Sequence, residues 1–217
     1  MCLMIKEWNI KSMNKQQFGT AWAWNPDGFG MMSLETWKIF KTLDKKTAWE
    51  FYKSQNWNNI IHFRFWTSGS HSLEMIHPFK IWKWIYLFHN WVLDNSPEDE
   101  LSDTATMCRH FESMYLTEKQ IFNNNFIYIL EKISEGYNKF IVATKWDFYI
   151  VWGNLWFWIW DNWYSNNWAG VKHSDYYWII KRNWVGKKLN KIEEDEYWDK
   201  YYDDLEKDYY GKSFLGH

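Results

Sequence analysis

The sequence predicts a layered α+β domain, because short apolar runs typical of strands stand beside segments with helical periodicity. Residues 60–65 and 81–88 are rich in β-branched and aromatic side chains, and each predicts a strand. Residues 103–115 and 117–134 carry apolar residues at helical spacing, and the second helix is expected to be interrupted at asparagines 123–125. A chain of 217 residues suggests one main domain with a substantial core.

The remaining elements are predicted from the same two periodicities. Further strands are expected at residues 1–5, 18–24, 140–143, 148–151 and 176–180. A turn is predicted at the Asn-Pro-Asp-Gly sequence of residues 25–28, and residues 145–147 should close a hairpin. Residues 33–52 have one broad apolar face and predict a helix that Ser33 can cap.

The C-terminal segment differs in composition from the rest of the chain. Residues 190–210 interleave acidic with aromatic residues at helical spacing, which predicts an amphipathic helix packed on the domain or on a partner. We therefore divide the chain into a main domain at residues 1–186 and an acidic, aromatic tail at residues 187–217.

Composition and charge disfavour several classes of protein. The formal net charge of −2 does not favour a nucleic-acid partner. No apolar stretch reaches the length of a membrane span, and the start, MCLMIKEW, lacks the apolar core of a signal peptide. Two cysteines do not make a disulfide framework, and seven histidines without paired spacing predict no metal site. We therefore expect a cytoplasmic protein with no membrane partner, no metal and no cofactor.

Six short motifs occur in a fixed order along the first half of the chain. They are Cys2 after the initiator methionine, NPDGFG at 25–30, HFRFWTSG at 62–69, HPF at 77–79, HNWVLDN at 89–95 and SDT at 102–104. Together they resemble the class II glutamine amidotransferases, whose glutaminase domains begin with a catalytic cysteine. A weaker similarity continues through GYNKF at 136–140 and YSNN at 164–167. The resemblance implies the four-layer αββα sandwich of N-terminal-nucleophile hydrolases, which periodicity alone does not predict.

The resemblance implies that Cys2 is the nucleophile of an amide-cleaving reaction. A thiolate can attack the unreactive carboxamide of glutamine if a base lies nearby. Removal of Met1 would free the α-amino group of Cys2 for that role, as in other N-terminal nucleophiles. The simpler interpretation of Cys2 is a small apolar residue that stands at position 2 by chance.

The same resemblance implies that Asn90 and the residue after it stabilise the negative charge that develops on the amide oxygen. The donors would be the side-chain amide of Asn90 and the backbone N–H of Trp91. The family has glycine at the second position, so the Cβ and indole of Trp91 conflict with an oxyanion hole in the chain as written. Its neighbours alone would suggest that Asn90 is a turn residue at the end of a strand.

The resemblance also assigns substrate binding to four residues, which are Arg64, Thr67, His77 and Asp103. Arg64, one of three arginines beside 22 lysines, can hold the carboxylate of glutamine through two parallel hydrogen bonds. Asp103 can hold the ammonium group, although an acid at a helix N-terminus would also explain it. Thr67 would line the pocket, and His77 is expected to support the site structurally and not as an acid–base catalyst.

Tryptophan is unusually frequent, with 20 residues against 10 glycines. Ordinary usage of about 7% would give roughly 15 glycines. Trp91 stands where the family has glycine, and Trp84, Trp146 and Trp168 stand in turn-like contexts that favour glycine. We hypothesise that some of these tryptophans are UGA codons that the source organism reads as glycine. The alternative is a protein that uses tryptophan for packing or ligand stacking.

The predicted function is hydrolysis of glutamine to glutamate and ammonia through a thioester on Cys2, with the ammonia passed to a separate synthase partner. One alternative is a catalytically impaired protein of the same fold that binds ligands, with Trp91 and Trp66 filling the pocket. Another is an unrelated, aromatic-rich carbohydrate-binding protein. Cys2 favours the first function over the third, and a glycine at position 91 would favour it over the second.

Overall fold

The computed structural model describes ten segments of the chain. They are residues 2–8, 11–56, 58–93, 100–115, 117–121, 123–134, 137–144, 147–151, 157–159 and 162–166. Within them the fold is mixed α/β, with two antiparallel sheets and a few helices. The predicted strand at residues 176–180, the predicted helix at 190–210 and the domain boundary at 186 lie outside the described residues.

The described elements are ten strands, five α-helices and one short 3-10 helix. The strands are β1 Leu3–Lys6, β2 Phe29–Ser33, β3 Ile39–Thr42, β4 Asn59–Phe63, β5 Phe79–Trp82, β6 Ile85–Asn90, β7 Lys139–Ala143, β8 Phe148–Val151, β9 Phe157–Ile159 and β10 Asn162–Tyr164. The helices are α1 Lys15–Trp24, α2 Lys45–Ser54, α3 Asp103–Ser113, α4 Glu118–Ile121 and α5 Asn124–Ser134, and the 3-10 helix is Leu73–Met75. No described helix is long and apolar enough to cross a membrane.

The strands form one sheet of six and one sheet of four. The larger sheet has the order β3-β2-β4-β1-β10-β9, and the smaller sheet has the order β5-β6-β7-β8. Within the larger sheet, Ile61 of β4 pairs with Ile5 of β1 on one side and with Met31 of β2 on the other. In the smaller sheet, His89 of β6 pairs with Phe140 of β7. The register thus sets the ends of β1, β4 and β6, which carry most of the predicted site residues.

Alternating side chains of the larger sheet enter two different hydrophobic clusters, as the period of two in a strand requires. In β1, Leu3 and Ile5 pack with residues of α1 and α2, whereas Met4 packs with Phe88 and Ile141 of the smaller sheet. A third cluster joins strands β5, β6, β7 and β8 to α3, α4 and α5. The two sheets therefore share one cluster, and each also packs against its own helices.

The segment at residues 18–24, which the sequence predicted as a strand, belongs to helix α1. Asn14 and Gln17 form a capping box, in which Asn14 Oδ1 accepts from the N–H of Gln17 at 3.0 Å and Gln17 Oε1 accepts from the N–H of Asn14 at 2.9 Å. Phe18 and Trp22 are buried one helical turn apart. The prediction was wrong because this cap outweighs the strand preference of the aromatic residues.

The predicted helix at residues 33–52 is wrong in its first half. Trp37 has a φ of 60° in the turn after β2, and the chain then forms β3, which pairs with β2. Helix α2 begins only after Asp44, whose carboxylate accepts from the N–H of Thr47 at 3.3 Å. Sheet pairing therefore overrides an apolar spacing that fits a helix equally well.

Other element predictions are confirmed more closely. Helix α3, the interrupted pair α4 and α5, and the hairpin of β7 and β8 lie where the sequence predicted them. The strand predicted at residues 81–88 is divided by a turn at Lys83 and Trp84 into the end of β5 and the start of β6. The short strands β9 and β10 were not predicted, because Gly153 and Asn154 interrupt the apolar run before them.

Candidate active site

One pocket brings together residues from distant parts of the sequence. Its lining is formed by Cys2, Arg64, Phe65, Thr67, Ser68, Met75, His77, His89, Trp91, Ser102, Asp103 and Thr104. The antiparallel pairing of Leu3 with Phe63 brings the start of β1 beside the end of β4, and so Cys2 beside Arg64. Six of the seven predicted site residues line this pocket. Asn90, the seventh, is fully buried at the end of β6 and does not line it.

The thiol of Cys2 is held against the backbone that follows β4. The N–H of Phe65 donates to Cys2 Sγ at 3.4 Å, and the thiol lies 3.6 Å from the carbonyl oxygen of the same residue. Burial raises the pKa of Cys2, while the Phe65 hydrogen bond and the charge of Arg64 oppose that rise. The carbonyl oxygen of Cys2 accepts from Asn166 Nδ2 at 2.6 Å, which anchors the start of β1. A half-buried thiol of raised pKa needs a base to become a nucleophile.

Arg64 is buried and only partly satisfied by the protein. Its Nη2 donates to the carbonyl oxygens of Ser68 and Ser70, each at 3.1 Å. Its Nη1 is buried and has no hydrogen-bond partner among the described residues. A buried guanidinium nitrogen without an acceptor is costly, so an anion in the pocket would stabilise this arrangement.

Asp103 occupies both of the positions considered for it. It is the first residue of α3, after the N-cap Ser102, and it also lines the pocket. Its Oδ2 accepts from the N–H of Leu93 at 2.8 Å, and its Oδ1 accepts from the N–H of Thr104 at 2.6 Å. These backbone donors and the helix N-terminus stabilise a negative charge at the pocket wall.

Asn90 lies behind the pocket, within reach of β1. Its Nδ2 donates to Ser165 Oγ at 2.7 Å, and the same Oγ accepts from the N–H of Met4 at 2.8 Å. Asn90 Oδ1 is buried without a hydrogen-bond partner. The oxygen and nitrogen of a side-chain amide are distinguished by their hydrogen bonds, so the Asn90 amide can be rotated by 180°. In that orientation the Ser165 hydroxyl donates to Asn90 Oδ1. The amide nitrogen of Asn90 is then the atom left to donate elsewhere.

Trp91 has a backbone conformation that favours glycine. Its φ is 116°, which bulky residues rarely adopt, and its ring stacks on Tyr137 with 6.1 Å between ring centroids. Trp37 is the other described tryptophan with a positive φ. Trp84 lies in the hairpin turn between β5 and β6 and is 62% exposed. Trp146 and Trp168, the other two glycine-like positions, lie outside the described residues.

Two buried histidines lie close together at the pocket. The rings of His62 and His77 are 4.1 Å apart between centroids, and His77 lines the pocket. Burial lowers the pKa of His62 to about 3 and lowers the pKa of His77 well below its usual value. Both rings are therefore neutral near pH 7, which does not suit either of them as a general acid. Neither ring nitrogen of His77 has a hydrogen-bond partner among the described residues.

His89 and Thr104 also line the pocket, although no role was predicted for either of them from the sequence. His89 Nδ1 lies 2.7 Å from Thr104 Oγ1, and His89 Nε2 lies 2.7 Å from Asn138 Oδ1. The only signal for them was their membership of the HN and SDT motifs. In the described part of the chain, no three His, Cys, Asp or Glu side chains are arranged to hold a metal ion.

Comparison with known proteins adds no assignment to this geometry. No protein-family model matches the chain, and no curated protein matches it significantly.

Proposed function

We propose that the chain is a glutaminase of the class II glutamine amidotransferase type, with Cys2 as its nucleophile. The observation that carries the proposal is the convergence of Cys2, Arg64 and Asp103 on one pocket, although they lie far apart in the sequence. A thiol, a buried cation and a buried carboxylate are the groups that glutamine requires, because it carries a carboxamide, a carboxylate and an ammonium group.

We propose further that the fold is the four-layer αββα sandwich of N-terminal-nucleophile hydrolases. Support comes from the three hydrophobic clusters, of which one is shared by the two sheets and the others join each sheet to its helices. The position of Cys2 immediately before β1 also fits a nucleophile that is delivered by the first strand.

In the proposed reaction, the α-amino group of Cys2, freed by removal of Met1, accepts the thiol proton. The thiolate attacks the γ-carbonyl carbon, and the N–H of residue 91, which lines the pocket, stabilises the oxyanion. Asn90 does not line the pocket, so its amide nitrogen would be the second donor only if its side chain moved towards the pocket when substrate binds. The C–N bond then breaks, the α-ammonium group returns the proton, and ammonia leaves a γ-glutamyl thioester on Cys2. Water attacks the thioester, which releases glutamate and restores the thiol.

Arg64 and Asp103 would orient the substrate through its carboxylate and ammonium groups, with Thr67 and His77 completing the wall. The ammonia would pass to a separate synthase partner. The proposed setting is the cytoplasm, with no cofactor, no metal, no nucleic-acid partner and no membrane partner.

The test measures ammonia release from glutamine, with Cys2→Ala as the blank. Treatment with a glutamine-like electrophile should add one mass to the protein, on Cys2, and intact-mass analysis should show that Met1 is absent. Full activity with Met1 retained would refute the α-amine as base. If neither the protein with tryptophan at position 91 nor the Trp91→Gly variant releases ammonia from glutamine, the proposed glutaminase activity is refuted.

A second candidate function rests on Trp91. Because Trp91 lines the pocket and has a strained backbone, the chain with tryptophan at position 91 would instead bind a ligand without hydrolysing it. If calorimetry shows that the chain binds glutamine and the assay shows no ammonia release, the result would favour a catalytically impaired, ligand-binding function.

A further inference from the structure

A row of buried polar side chains leads away from the pocket behind Asp103. Asp103 Oδ1 lies 3.1 Å from Thr104 Oγ1, which lies 2.7 Å from His89 Nδ1. On its other side, His89 Nε2 lies 2.7 Å from Asn138 Oδ1. The four residues are 1–6% exposed, so water cannot easily replace any of these contacts.

The charge of His89 limits the hydrogen bonds along this row to two arrangements, one for each tautomer of the neutral ring. Burial lowers the pKa of His89 to about 4, with the charge of Asp103 opposing that shift, so the ring carries one N–H near pH 7. If the Asn138 amide is turned so that it donates to Nε2, Nδ1–H donates to Thr104 Oγ1, and the Thr104 hydroxyl donates to Asp103 Oδ1. Every group in the row then has a partner, and the Thr104 hydroxyl holds Asp103. With the proton on Nε2 instead, His89 donates to Asn138 Oδ1, the Thr104 hydroxyl donates to Nδ1, and only the Thr104 backbone N–H holds Asp103 Oδ1.

We propose that Thr104 and His89 are positioning residues that fix the Asp103 carboxylate to receive the ammonium group of an amino-acid ligand. The inference rests on the proposed function, because it assumes that Asp103 meets the ligand. The N–H of Leu93 holds one carboxylate oxygen and Thr104 holds the other, so the plane of the carboxylate is set on both sides. His89 is itself held by stacking on Phe140, with ring centroids 4.7 Å apart and an interplanar angle of 20°.

The test compares glutamine with glutaramate, which has the same carboxamide and carboxylate but no α-amino group. Thr104→Val removes the hydroxyl and keeps the shape, and it should lower the preference for glutamine, as the ratio of kcat/KM values, by about tenfold. The loss should appear as a higher KM for glutamine, while kcat and the kinetics of glutaramate change little. Thr104→Ser should restore the preference. His89→Phe keeps a ring against Phe140 and should repeat the loss if Thr104→Val folds poorly.

An equal loss on both substrates would overturn the proposal, because a purely structural role does not distinguish the two ligands. If the parent protein hydrolyses neither amide, the proposed function fails separately, and calorimetry with the products still decides this inference. Tighter binding of glutamate than of glutarate by the parent, with the difference lost in Thr104→Val and regained in Thr104→Ser, would support positioning by Thr104. No difference in the parent, or a difference that Thr104→Val leaves unchanged, would overturn it.

Discussion

Replacing Trp91 with glycine is expected to raise glutaminase activity by about 10²–10³, because one donor of an oxyanion hole contributes roughly that factor to kcat. The φ of 116° at Trp91 is one that glycine adopts freely and a bulky residue rarely adopts. The N–H proposed to face the oxyanion therefore belongs to a residue whose side chain disfavours the positive φ found at position 91. Trp91 also lines the pocket, while its indole stacks on Tyr137.

The same substitution should change the free energy of unfolding only slightly. Relief of the strained φ should stabilise the fold by about 1–3 kcal/mol. The greater entropy of glycine in the unfolded chain offsets roughly 0.5–1 kcal/mol of this gain. Loss of the Trp91–Tyr137 stacking contact, at 6.1 Å between centroids, offsets roughly another 0.5–1.5 kcal/mol. A large gain in rate could then not be explained by a larger folded fraction.

The assay is steady-state ammonia release, with Cys2→Ala as the blank. Trp37→Gly is the matched control, because Trp37 also has a positive φ of 60° but does not line the pocket, so activity should not change. Trp66→Ala should help less than Trp91→Gly, because the Trp66 indole N–H is turned to the carbonyl oxygen of Gly69 at 2.6 Å. Rapid ammonia release by the protein with tryptophan at position 91, and slower release by Trp91→Gly, would refute the reasoning.

Cys2 should be the only thiol that reacts quickly with a glutamine-like electrophile, because it is half-buried and lines the pocket, whereas Cys108 is buried in the hydrophobic core. Equal labelling of both cysteines by intact mass would contradict this. Arg64→Lys should lower kcat/KM for glutamine about tenfold or more, because a planar fork is replaced by a point charge, and unchanged steady-state kinetics would remove Arg64 from the pocket. Burial lowers the pKa of Lys6 to about 7, so the unfolded chain binds more protons than the folded chain above that pH. The free energy of unfolding in urea should therefore rise between about pH 7 and pH 10. Lys6→Met should reduce that rise, and an identical rise in both proteins would argue against a neutral, buried Lys6.

The sequence predicted more of the residues that line the pocket than of the order of the strands. Six of the seven residues chosen from the motifs line one pocket, and antiparallel pairing of β1 with β4 accounts for Cys2 lying beside Arg64. Thr104 and His89 were missed as functional candidates, because their contribution depends on a contact of 2.7 Å between two motifs. No single-sequence pattern reports such a contact.

The errors in the fold have a common physical origin. The segment at residues 18–24 has aromatic residues that suit a strand, and residues 33–52 have a spacing that suits a helix. In each case something other than average composition decides the structure: the Asn14 cap begins α1, and pairing with β2 forms β3 after the turn at Trp37. A cap at one residue and pairing with a neighbouring strand therefore outweigh an average over ten or more residues.

Some tryptophans of this chain lie where a large side chain is needed, and others lie where the backbone favours glycine. This difference allows UGA recoding to be tested against the use of tryptophan for packing. Trp163 is 1% exposed and packs in the cluster shared by the two sheets, where a glycine would leave a cavity that costs about 3–5 kcal/mol. Trp91 has a φ of 116°, where tryptophan is strained and glycine is not. If some UGA codons are read as glycine, the gene should carry UGG at position 163 and UGA at position 91. Mass spectrometry of the native protein should then find tryptophan at 163 and glycine at 91. A native peptide with tryptophan at 91 would contradict recoding at that position, and it would show that the native chain keeps tryptophan in a strained conformation there.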